Sequence, residues 1–98
     1  MPVYAVITAK PEPLVESLLA AKYAEKHYKY SDTAWIVATP DSAATLSISL
    51  GGKQKLPDGG LIGALDGYLL VSELTPNYWG FSNQAFWNWL KQAHEGRI

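Results

Sequence analysis

The run Val3-Tyr4-Ala5-Val6-Ile7-Thr8 constrains the fold more than any other segment, because it is β-branched and aromatic with no polar alternation. Such a run, closed off by Lys10-Pro11-Glu12-Pro13, reads as a short strand buried on both faces. A strand of that kind demands apolar cover above and below its sheet, and every later segment can be read as a supplier of that cover.

The first supplier is a helix expected from Pro11 to Tyr23. Proline suits the first turn, where an N–H has no intrahelical partner, and Glu12 and Glu16 sit where the helix dipole favours anions. Leu14, Val15, Leu18 and Leu19 form its apolar stripe, and Lys22 and Lys26 complement the far end. From His27 the period changes to two. Tyr28 and Tyr30 share a face, Ser31-Asp32-Thr33 turns the chain, and Ala34-Trp35-Ile36-Val37-Ala38-Thr39 returns as the second arm of a hairpin. Thr39-Pro40-Asp41 then starts a short helix through Ala43, Leu46 and Leu50, with Gly51 at its C-cap. The glycine-rich stretch Gly51 to Gly60 reads as a mobile loop, and Tyr68 to Leu74 as the fourth strand. Ser82 is positioned to cap a last helix whose stripe is Phe86, Trp89, Leu90 and Ala93, with Trp87 off that stripe.

The order is therefore βαββαβ plus a C-terminal helix, in one α+β domain spanning all 98 residues. That order matches a ferredoxin-like split βαβ arrangement with two helices on one face of an antiparallel sheet. The second face has only the final helix and an aromatic loop to cover it, so a partner's sheet is expected there and a homodimer with it.

In pattern the chain resembles small bacterial proteins related to the CRISPR-associated adaptation subunits and the virulence-associated protein D toxins. The resemblance rests on the short first strand, the hairpin ending Thr33-Ala34-Trp35-Ile36-Val37, the Ser/Thr-rich second helix, Asp66-Gly67-Tyr68-Leu69-Leu70-Val71, and Trp79-Gly80-Phe81-Ser82 with Trp89-Leu90-Lys91. It implies a dimeric ferredoxin-like protein, and some members of those families cleave nucleic acid. The nucleases among them carry a metal-binding Asp at the end of the first strand, where this chain has Thr8-Ala9.

The remaining chemistry-bearing residues are few. Without cysteine there is no thiolate metal site, Cys nucleophile or disulfide. Asp32, Asp41, Asp58 and Asp66 all sit beside turns or helix starts, which accounts for them without a metal. Glu73, at a strand end, and Asp66 are the carboxylates left for a metal-dependent nuclease. His27 and His94 lie on separate elements without ligand-spaced neighbours, and His94 closes the last helix, where the dipole favours a positive imidazole. Gly52-Lys53 lacks the first glycine and the Ser/Thr of a phosphate loop. No cofactor is expected, and no run of about 18 apolar residues suggests a membrane span. The opening Met1-Pro2-Val3-Tyr4 has no signal-peptide pattern, and the expectation is a cytoplasmic protein.

Two surfaces stand out. Lys22, Lys26 and Lys29 with Tyr28 and Tyr30 form a candidate nucleic-acid patch, set against a net charge of −1 and a single arginine. Tyr78, Trp79, Phe81 and Trp87 form a candidate interface, since they exceed what the last helix's stripe explains. Charged residues are only 17% of the chain and aromatics 12%, and seven aromatics fall between Tyr68 and Trp89 while none falls between Thr39 and Gly67. Interaction is thus favoured over catalysis, with a nuclease or a small-molecule site in a dimeric α+β barrel as alternatives.

Overall fold

A computed structural model describes residues 1–98. Six strands and three helices are present: β1 (Val3–Thr8), α1 (Pro13–Tyr23), β2 (His27–Ser31), β3 (Ala34–Ala38), α2 (Ala43–Ser49), β4 (Gln54–Lys55), β5 (Leu61–Ile62), β6 (Leu69–Glu73) and α3 (Gln84–His94), with one 3₁₀ turn at Ala24–Lys26. The main sheet is wholly antiparallel and ordered β2-β3-β1-β6, so the α+β class expected from the pattern holds.

Pleating sorts the two central strands onto two faces. Tyr4 and Val6 of β1 and Trp35 and Val37 of β3 point to one face, where Val15 and Leu19 of α1 and Leu46 and Leu50 of α2 bury them. Val3 of β1 and Ile36 and Ala38 of β3 point to the other, where Phe86, Leu90 and Ala93 of α3 close over them. The second face is therefore covered from within the chain, but only in part. Along β1 the residues of that face run from buried Val3 through half-buried Ala5 to exposed Ile7. Leu70, opposite Ile7 on β6, is exposed as well.

Local chemistry moves several boundaries. The first helix begins at Pro13 rather than Pro11, because a residue preceding proline is pushed out of the α region, and Glu12 is extended at φ −128°, ψ 95°. Ser42, not Thr39, caps α2 by accepting from the Thr45 N–H, and Asn83, not Ser82, caps α3 through Oδ1 to the Phe86 N–H at 2.8 Å. Gly51 ends α2 at φ +86°, the left-handed conformation expected of it. The glycine-rich stretch expected to be a loop instead carries the β4–β5 hairpin. Its turn, Pro57-Asp58-Gly59-Gly60, is closed by Asp58 Oδ1 accepting from the Gly60 N–H and by the Leu56 N–H donating to the Gly60 carbonyl.

Since Leu19 and Leu90 are equally buried on opposite faces, Leu19→Ala and Leu90→Ala should each cost about 2–5 kcal/mol within one cooperative urea transition. A separate early transition in Leu90→Ala would show that α3 is an appendage rather than half of the core.

Candidate functional site

The site is built by the ten-residue connection between β6 and α3, residues 74–83, and by the helix face that receives it. Beyond Leu74, whose N–H donates to the Val3 carbonyl at 2.7 Å, the chain leaves the sheet and Tyr78 lays its ring between two others. It stacks on Trp87 with centroids 6.0 Å apart and planes at 6°, and on His94 at 5.6 Å and 14°. Phe86 continues the array, contacting Trp87 at 5.1 Å, Tyr28 at 5.1 Å and Tyr30 at 5.0 Å. Tyr30, Tyr78, Trp79, Phe86 and Trp87 wall an open cleft of about 190 Å³, lined also by Ile36, Leu74 and Leu90. It shares Tyr78, Trp79, Gly80 and Trp87 with a second hollow of about 310 Å³.

Tyr78 thus anchors the connection, and the residues after it stand free. Trp79 is 100% exposed and Phe81 98% exposed, values that no monomeric packing explains for two of the largest apolar side chains. Of the four candidate interface residues, Tyr78 and Trp87 are partly consumed in holding the ledge, while Trp79 and Phe81 are the surface it presents. Trp89 is only half-buried. Its indole N–H donates to the Glu25 carbonyl at 3.2 Å, tying α3 to the end of the first helical segment.

The five residues of the candidate nucleic-acid patch are not brought together. Tyr28 and Tyr30 pack toward α3, whereas Lys29, between them, points to the other face and meets Glu16 at 2.8 Å and Asp32 at 3.5 Å. The hydrogen bond that Lys29 Nζ donates to Glu16 Oε1 holds the Lys29 pKa above the ordinary lysine value. Lys22 donates to the Ser49 carbonyl at 3.0 Å, joining α1 to the end of α2.

The carboxylates are equally dispersed. Asp66 is exposed with a long 3.8 Å contact to Lys53, Glu73 is exposed on β6, and no three His, Cys, Asp or Glu side chains gather in one place. Two larger open hollows, of about 410 and 390 Å³, meet at Asp66-Gly67-Tyr68 and are flanked by Lys53 and Lys10. Their charged groups lie in solvent rather than converging on an apolar pocket. At the end of β1, Thr8 is buried and its hydroxyl donates to the Lys10 carbonyl at 2.7 Å, a turn-closing bond rather than a ligand position.

The surroundings of His94 reverse the expectation from the helix dipole. Burial, with a smaller contribution from the positive N-terminus, pushes its pKa below the ordinary histidine value. Its Nε2 is buried with no partner. Nothing in the sequence pairs His94 with Tyr78, sixteen positions earlier, since the contact depends on how the connection crosses α3. Compared with protein-family models, curated proteins and solved structures, the chain matches none.

Two outcomes follow from this geometry. Because His94 binds a proton less readily folded than unfolded, stability falls as pH drops through about 6.5 and levels off below the folded pKa. His94→Phe, which keeps a ring against Tyr78, should show a shallower loss of thermal stability between about pH 7.5 and pH 5 than the wild type. An identical loss in both would exclude His94 as its source. Asn83→Ala should cost about 1 kcal/mol in urea denaturation through the lost cap.

Proposed function

We propose that this chain is a non-catalytic, self-associating interaction module whose binding surface is the aromatic ledge of the β6–α3 connection. The observation that carries this reading is the full exposure of Trp79 and Phe81 beside rings that are stacked and fixed. Fixed neighbours mean that little conformational entropy is lost when a partner covers the ledge, and Trp, Tyr and Phe are the residue types enriched at interface centres.

We read the architecture as ferredoxin-like. What supports this is the order β6-β1-β3-β2 with α1 and α2 on one face, the β4–β5 hairpin being an insertion and α3 an addition. The likeness to the CRISPR-associated and toxin families is kept at the level of that architecture and of dimer formation. Thr8 engaged in a turn, together with scattered carboxylates, supports a binding role over phosphodiester hydrolysis.

Trp79→Ala combined with Phe81→Ala removes side chains that are almost wholly outside the monomer's core. Sedimentation equilibrium should give a dimer for the wild type and a monomer for the double variant, with unchanged far-UV circular dichroism. A wild type that stays monomeric at every concentration would overturn the proposal.

A further inference from the structure

We propose that two copies join edge to edge through β6, pairing antiparallel about a two-fold axis at Val71 and making one eight-stranded sheet. This rests on the self-association reading above and specifies its geometry.

The main sheet has two edges, and they differ. The β2 edge carries Lys29 and an irregularity in register between Lys29 and Ser31, both devices that discourage pairing with another chain. The β6 edge, Leu69-Leu70-Val71-Ser72-Glu73, has no lysine, proline or bulge. It is the unguarded side of the sheet.

The hydrogen-bond phase of β6 follows from its register. Leu74 lies opposite Val3 and donates to its carbonyl, so the pairs Ser72 with Ala5 and Leu70 with Ile7 also exchange bonds with β1. The N–H and C=O groups of the alternate residues, Leu69, Val71 and Glu73, therefore point away from β1. Pairing Val71 with the partner's Val71 places Leu69 against the partner's Glu73 and satisfies all of these groups in both strands. A shift of one residue would place inward-bonded residues at the seam and satisfy none of them.

The same axis solves the problem of the half-covered face. An antiparallel continuation keeps the two α3 faces on the same side and lays the start of one β6 beside the end of the other. Tyr68, 84% exposed, then lies opposite the partner's Leu74, where the connection bearing the partner's Trp79 and the partner's Phe81 begins, with Leu70 at 59% and Ile7 at 44% on the same face. At roughly 150–250 Å² per ring, covering Tyr68, Trp79 and Phe81 in both copies removes on the order of 1,000 Å² from water. Ile7, Leu70 and the strand backbones raise this toward the ~1,200–2,000 Å² of a stable specific interface.

The chain has no cysteine, so Val71→Cys introduces a single thiol. Directly opposed, hydrogen-bonded residues have Cα atoms about 5.5 Å apart, within disulfide reach. Mild oxidation should convert Val71→Cys to a disulfide-linked dimer. Ser72→Cys, whose two-fold mate lies beyond the ~7 Å limit, should stay unlinked. In the unmodified protein at about a hundredfold above its dissociation constant, where roughly a tenth or less of the chains are monomeric, amide exchange at Leu69, Val71 and Glu73 should slow by on the order of 10-fold relative to the Trp79→Ala/Phe81→Ala monomer. Leu70 and Ser72 should be protected in both, through β1. A dimer in which those three amides exchange as in the monomer would overturn edge pairing while leaving self-association intact. A wild-type monomer would overturn both.

Discussion

The pairing of β1 with β3 is the constraint on which the rest of this molecule depends. Val3↔Ala38, Tyr4↔Val37, Ala5↔Ile36 and Val6↔Trp35 form a central ladder whose side chains are apolar above and below. At about 25 cal/mol per Å² of apolar surface, leaving either face in water would forfeit much of what stabilises a domain this small. Two helices answer for one face. On the other, α3 reaches Val3, Ile36 and Ala38 and stops short of Ile7 and Leu70.

This unequal cover links fold to function. The uncovered end of the second face is bounded by β6, the edge without protection, and the chain leaves β6 directly into the connection bearing Trp79 and Phe81. Within one copy the open residues Ile7 and Leu70 lie toward the start of β6 and the connection leaves from its other end, so a two-fold axis at Val71 is what brings the open face beside the start of the partner's connection. The stack of Trp87, Tyr78 and His94 fixes the near end of the connection. Protonation of His94 opposes that packing because burial disfavours its charged form.

Much of the fold was legible because it is local. The apolar runs at Val3 and Ala34, the proline-led entry to α1, the αL glycine at Gly51 and the stripe of Phe86, Leu90 and Ala93 each declare themselves within a few residues. The misreadings are also local in origin. Pro13 overrides Pro11 by forcing Glu12 to be extended, and Pro57-Asp58-Gly59-Gly60 is turn chemistry that closes a hairpin, where glycine content alone suggested a loop. The aromatic excess could be located by sequence, but its division could not. Tyr78 and Trp87 are spent on the ledge and Trp79 and Phe81 are not, a distinction set by the path of the connection across α3. The lysine–tyrosine patch dissolves for the reason that period two gives: neighbours on a strand face opposite ways, so Lys29 meets Glu16 while Tyr28 and Tyr30 meet Phe86.

The central claim is that the second face is completed side by side with another copy, and small-angle X-ray scattering in solution tests it most directly. Two copies joined at β6 should scatter as a particle of twice 10.8 kDa that is longer than the 45 Å of one copy, because the joined sheets extend laterally. A particle of 10.8 kDa with a radius of gyration near 13.7 Å would contradict it.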